Sequence, residues 1–211
     1  MYTNVNLAAP IGALALLGTG GLLFISALVL LESVVVRKRT RARLVFMAML
    51  MIAGLYVMTM LIFSFASHDK LLAHGEEKHF CELDCHLAYS VVDTQPGKAN
   101  SPETRQTIIR VKTRFDETTI APWRGNGLLY PNPRALALVD DQGNTYGPVA
   151  QSGTPLTTPL RPGESYTTDV AFTLPANTKP AALLLNEDAW ETRFLIGHEN
   201  SLLHGKTKFQ I

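Results

Sequence analysis

The sequence predicts an α+β membrane protein: an N-terminal transmembrane helical hairpin followed by an all-β immunoglobulin-like sandwich. Three observations carry this. No charged residue occurs in residues 1–31 or in residues 44–67, and each run exceeds the roughly 20 residues a helix needs to cross a bilayer. Between the runs stands Arg37-Lys38-Arg39-Thr40-Arg41-Ala42-Arg43. Beyond them the chain breaks into short strand-patterned runs separated by Gly, Pro, Asp and Asn turn signals.

The two helices are expected at about 10–36 and 44–67, since lipid cannot satisfy an open backbone. The basic loop 37–43 belongs on the cytoplasmic side by the positive-inside rule. The N-terminus and everything from His68 onward then lie outside. The first run is too long, and lacks the basic start, of a cleavable signal peptide. No Cys stands near it to serve a lipoprotein anchor. Glu32 falls about one turn inside the first helix and is expected to snorkel towards the basic cluster; a proton relay is the sharper alternative. Gly18, Gly20 and Gly21, with Ala13 and Ala15, offer a face for close packing on the second helix or on another membrane subunit. Met47, Met49, Met51, Met58 and Met60 read as lipid-facing or packing residues.

Residues 68–78 read as a polar linker, with His68 and His74 solvated, and residues 79–211 as the sandwich. Its strands are expected at 86–92, 107–115, 134–139, 145–149, 166–174, 181–185 and 206–211. The run 107–115 alternates Ile109, Val111, Thr113 and Phe115 against Arg110, Lys112 and Arg114, one packed face and one wet face. Asp140-Asp141-Gln142-Gly143-Asn144 suits a hairpin loop and Pro162-Gly163 a tight turn. If all strands are antiparallel, segment 79–86 and the long connections 116–133, 150–164 and 186–205 gather at the membrane-proximal base. Long loops on a rigid scaffold are where function collects.

Leu138-Val139-Asp140-Asp141-Gln142-Gly143-Asn144-Thr145-Tyr146, Leu160-Arg161-Pro162-Gly163-Glu164-Ser165 and Phe172-Thr173-Leu174-Pro175 carry a resemblance. Over residues 106–211 the chain resembles the telokin-like, immunoglobulin-type domains of bacterial membrane proteins and lipoproteins. The resemblance implies a binding or interaction module with no shared active site. It also implies a place in the bacterial inner (cytoplasmic) membrane, with the domain on the periplasmic side.

Both cysteines fall in His79-Phe80-Cys81-Glu82-Leu83-Asp84-Cys85-His86, and three readings stay open. A Cys81–Cys85 disulfide fits an oxidising compartment, though so small a ring contributes roughly 2 kcal/mol against about 4.7 for a 100-residue loop. A metal site would draw on Cys81, Cys85 and His86, with His79, His198 and His204 as further ligands; thiolate plus imidazole suits copper or zinc. Covalent haem would need one residue fewer between the cysteines. The layout is similar to cytochrome oxidase subunit II, which also carries Cys-x-x-x-Cys. There the motif comes late and is followed by His and then Met, whereas here the cysteines come first and no Met follows Met60.

The net charge of +1 sets up no global field for nucleic acid. No phosphate loop, nucleophile elbow or basic–aromatic interleaving is present. The reading is therefore a non-catalytic interaction or assembly subunit beside a larger membrane complex, its partners being membrane lipid and a membrane protein. The alternative is a copper-handling or thiol-redox module on the Cys81/Cys85/His86 cluster, with copper as its cofactor. An enzyme acting on a small substrate ranks third. Alkaline phosphatase fused after Ile211 is expected to be active; a fusion active only with a cytosolic reporter reverses the orientation.

Overall fold

The computed structural model describes residues 8–80, 86–97, 102–119 and 124–211. Two compact units make it up. One, helical, comprises Leu7–His68 and Glu191–Gly205; the other, of strands, comprises Asp69–Trp190 and Lys206–Ile211.

In the helical unit, α1 (Ala8–Val35) and α2 (Arg39–Ala66) are both long and apolar enough to cross a membrane. They are not buried within this chain: Leu14, Leu17, Phe24, Leu55, Met58 and Phe65 all stand exposed. The expected loop 37–43 is corrected: only residues 36–38 separate the helices, and Arg39, Arg41 and Arg43 already lie in α2. Arginine is a good helix former, so the basic cluster extends the helix instead of interrupting it. Arg37 takes a left-handed φ of 57°. Its N–H donates to Val34 O at 3.0 Å and that of Lys38 to Ser33 O at 2.8 Å. This is a Schellman closure with arginine where glycine is usual; those bonds offset a left-handed cost of about 1–2 kcal/mol. Glu32 does meet the basic cluster, through Arg41 Nη1 at 3.4 Å. Among the described residues nothing approaches Gly18, Gly20 or Gly21, so these three glycines do not pack on α2.

The β unit is a sandwich of two five-stranded sheets. Its strands are β1 (Lys70–Leu72), β2 (Lys78–Phe80), β3 (Leu87–Pro96), β4 (Thr104–Phe115), β5 (Arg134–Asp140), β6 (Thr145–Tyr146), β7 (Pro148–Gly153), β8 (Ser165–Pro175), β9 (Pro180–Glu187) and β10 (Thr207–Gln210). The first sheet runs β1-β10-β9-β5-β6 and the second β2-β3-β4-β8-β7. The alternation expected for β4 holds: Ile109, Val111, Thr113 and Phe115 are fully buried. Ile109, Val111 and Phe115 meet Tyr89, Val91, Phe172, Leu138, Leu183 and Phe209 in one core. On the wet face Arg110 pairs with Asp169 directly across β4 and β8, Nε to Oδ1 at 2.7 Å.

Three expectations change. The linker 68–78 is not outside the sandwich, for it supplies β1 and the first residue of β2, with Leu72 and Lys78 both 1% exposed. The expected strand 145–149 is two: the chain changes sheet at Gly147, between β6 and β7. Pairing is not wholly antiparallel, because β1 runs parallel to β10. The gathering of loops at one end therefore rests on registers. Phe80 faces Leu87, Leu87 faces Phe115, and Arg134 faces Glu187. Arg134 also donates from Nε to Tyr89 Oη at 3.2 Å, which sets the first sheet's end against the second's. At this base the chain enters at Asp69 and Lys206, joined by Lys206 N–H to Asp69 Oδ1 at 2.8 Å.

The turn motifs prove structural. Asp140 is 3% exposed and accepts from Gln142 N–H, Asn144 N–H, Asn144 Nδ2 and Tyr146 Oη at 2.8–3.0 Å. Gly143 (φ 86°) allows the loop to curl around that carboxylate.

Period two also turns Lys78 inward, beside Tyr89 and Thr113. Its Nζ crosses to the first sheet and donates to Leu185 O (2.5 Å), Asn186 Oδ1 (3.1 Å) and Thr207 O (3.2 Å). A buried ammonium is tolerated only with such acceptors. Lys78→Met should keep the volume and strand those acceptors, lowering stability by about 1–3 kcal/mol; thermal unfolding of the detergent-solubilised protein reads this.

Candidate functional site

The site is built at the base of the second sheet, on the outer faces of β2, β3 and β4. Because Lys78 points in, Glu77 and His79 point out. The register places His79 opposite Ala88 and Ala88 opposite Arg114. Ala88, between them, has only a methyl, so the long side chains on either side can meet over it. Arg114 grips Glu77 with both arms of its fork, Nε to Oε1 at 2.7 Å and Nη2 to Oε2 at 2.6 Å. Its Nη1 lies 3.3 Å from Asp116 Oδ1. His79 Nε2 donates to Asp116 Oδ2 at 3.1 Å.

Asp116 also starts the 3-10 turn Glu117–Thr119, where its Oδ1 accepts from Thr118 N–H (3.0 Å) and Thr118 Oγ1 (2.7 Å). This is the chemistry of a helix N-cap. Thr119 Oγ1 returns a bond to Asp116 O at 2.7 Å and is itself in hydrogen-bond contact with His86 Nδ1. His86 stacks on Phe115, ring centroids 5.4 Å apart, and its carbonyl accepts Asp116 N–H at 2.7 Å. His79 and His86, the two histidines that bracket Cys81 and Cys85 in sequence, are thus both fixed to one turn.

The electrostatics follow from this wiring. Burial alone would raise the Asp116 carboxyl; the bonds from Thr118, His79 and Arg114 outweigh it and hold that carboxyl well below the usual carboxylate range. The Arg114 fork lowers Glu77, and the same bond raises Arg114.

Among the described residues, Glu77, His79 and Asp116 form a group whose ligand atoms lie within 4.8 Å of one another. Two carboxylates and an imidazole are a reasonable donor set for zinc or a harder divalent ion. Arg114 occupies it, however, with both oxygens of Glu77 engaged. A cation entering here has to displace a guanidinium. The arrangement is a closed ion-pair network able to hold the base rigid and to orient His79.

Of the sequence-derived candidates, Cys81 and Cys85 lie outside the described residues. His79 and His86 come together on the Asp116–Thr119 turn. His198 and His204 belong to the helical unit; His198 Nδ1 accepts Asn200 N–H at 3.0 Å and His204 Nδ1 donates to Gly205 O at 2.8 Å. Sequence reasoning missed Glu77, Arg114 and Asp116. Their only signal was i, i+2 spacing, Glu77 with His79 and Arg114 with Asp116, and the register that unites the two pairs is a tertiary fact.

Comparison with known proteins adds little. No family model and no curated protein matches the chain. Two solved structures share features of the fold. One is an uncharacterized β-sandwich protein of Clostridium difficile 630, with TM-score 0.41 and 10% identity, covering 69% of this chain and 95% of that one. The other is an ApaG protein of Pseudomonas aeruginosa PAO1, with TM-score 0.28 and 12% identity, covering 43% of this chain and 81% of that one.

Because both carboxyls are depressed in the folded protein, their contribution is complete above the ordinary carboxylate pKa of about 4 and is lost as pH falls below it. Asp116→Asn should cost about 1–3 kcal/mol near neutrality and lose less further stability than wild type between pH 5 and pH 2. Thermal melts across that range check both.

Proposed function

We propose that this is a membrane-anchored extracytoplasmic β-sandwich, of the telokin-like immunoglobulin type, that serves as a non-catalytic interaction or assembly subunit beside a larger membrane complex. The observation that carries the reading is the uncovered small-residue face of α1. Among the described residues, and apart from α1's own backbone, nothing lies within 4 Å of where a side chain would start on Gly18, Gly20 or Gly21. Small residues let helix backbones approach closely in lipid, so this face fits another transmembrane helix. The basic residues Arg37, Lys38, Arg39, Arg41 and Arg43 around the hairpin turn favour its cytoplasmic placement. The sandwich, joined to the helical segments at Asp69 and Lys206, then lies on the periplasmic side of the inner membrane. The closed network of Glu77, His79, Arg114 and Asp116 suits a rigid docking surface better than a turnover site.

A second reading has one observation in its favour. His79 and His86 are fixed to a common turn on either side of the segment holding Cys81 and Cys85, which suits a copper-handling or thiol-redox module. The two readings separate on one preparation. Purification in mild detergent should bring down a membrane protein in fixed ratio, lost when Gly18 and Gly21 are both replaced by Leu. Metal analysis and a thiol count on the same sample complete the test. Stoichiometric copper abolished by Cys81→Ser favours the copper module; a partner with neither metal nor free thiol favours the assembly subunit.

A further inference from the structure

The segment Glu191–Gly205 leaves the sandwich after Trp190, belongs to the helical unit, and returns at Lys206. Three contacts fix it along the hairpin. Gly205 N–H donates to Ser67 Oγ at 2.7 Å, just past the end of α2. Ile196 packs its backbone on Gly12 of α1, so closely that a Cβ there would stand 2.3 Å from Ile196 O. Tyr56 Oη donates to Phe194 O at 2.6 Å. Tyr56 lies ten residues before Ala66, where α2 ends, or about 15 Å along the helix axis. The segment therefore runs beside the outer half of the hairpin and is not confined to its tip.

Several of its side chains are arranged inside out. Thr192, His198 and Ser201 are buried, at 7%, 6% and 1% exposure, while Phe194, Leu202 and Leu203 are 48%, 59% and 65% exposed. A loop in water carries the opposite arrangement. Leu203 even holds a left-handed φ of 61°, a conformation bulky residues avoid, with its side chain outward. Four of its backbone amides are satisfied through successive tight turns: Leu195 N–H to Thr192 O, His198 to Leu195, Ser201 to His198 and His204 to Ser201, at 2.9–3.3 Å. Asn200 Nδ2 donates to Thr192 Oγ1 at 3.0 Å, and Ser201 Oγ bonds Leu195 O. Non-helical backbone is tolerated at membrane depth where protein buries it, and the Ile196 backbone lies directly against Gly12 of α1. Glu191 and Arg193, also exposed, open the segment, and a guanidinium pairs well with a headgroup phosphate.

From this we infer that Glu191–Gly205 is a third membrane-embedded element, with Phe194, Leu202 and Leu203 seated among the acyl chains of the outer leaflet. The occupant is lipid because the apolar surface is continuous with a hairpin whose own exposed side chains are apolar. The inference rests on the reading of that hairpin as membrane-spanning, and the experiment keeps the two apart. Trp123 and Trp190 are replaced by Phe in the full chain, and one new Trp is introduced as Phe194→Trp, Leu203→Trp or Leu50→Trp. Each variant is reconstituted in phosphatidylcholine vesicles with or without bromine on the acyl chains. Leu50 lies mid-way along α2 and is exposed, so it reports on the hairpin alone. Loss of most of the emission in brominated lipid at positions 194, 203 and 50 is the expected result. Quenching at 50 with none at 194 and 203 overturns the inference and assigns the patch to a protein partner. No quenching at any of the three overturns the membrane reading and the inference together.

Discussion

The buried ammonium of Lys78 ties the two sheets of the sandwich together. Lys78 is a β2 residue of the second sheet, yet its ammonium is bonded by Leu185, Asn186 and Thr207 of the first. Removing a charge from water costs several kcal/mol unless acceptors replace the lost hydration. The strand ends of β9 and β10 must therefore stay where they are for β2 to be tolerated. The neighbourhood is built to match: Lys78 Nζ lies 5.0 Å from the centroid of the Phe80 ring, and the Arg134 guanidinium lies 4.2 Å from the same ring and 5.3 Å from that of Tyr89. Cation–π contacts of this kind gain in a desolvated setting.

The candidate site is the other side of that constraint. With Lys78 turned in, strand geometry leaves Glu77 and His79 no choice but to face out. Arg114 and Asp116 face out for the same reason one strand beyond β3, and Ala88 leaves room between. What looks like a designed quartet follows from one inward lysine and one small residue. Arg114 offsets charge on both carboxylates it touches, and His79 adds a hydrogen bond to Asp116, so the group sits partly buried on a face that elsewhere is wet.

Much of the architecture was legible in the sequence. Two charge-free runs gave the helices, the alternation of Ile109, Val111, Thr113 and Phe115 gave β4, and Asp140 with Gly143 gave a hairpin. What stayed hidden depends on distant partners. Lys70-Leu71-Leu72 has no alternation to read and becomes a strand only because β10 pairs with it. Lys78 reads as solvated, since nothing nearby in sequence announces its three acceptors. Segment 191–205 mixes polar and apolar residues like any surface loop, and its reversal of inside and outside is a matter of conformation. The candidate site fared likewise: His79 and His86 stood out as residue types, but their partners Asp116 and Thr119 are separated from them by more than thirty residues.

The parallel pairing of β1 with β10 bears on how the molecule assembles. The first of these strands leaves the ribosome long before the second, and one of the acceptors for Lys78 lies 129 residues downstream. Until that late strand is made, β1 has no neighbour and the lysine has an incomplete cage. Closing contacts of such long range slows folding. Completion of the sandwich is thus deferred until synthesis has passed Gln210, and a nascent chain paused before β10 leaves both an open sheet edge and a lysine short of an acceptor.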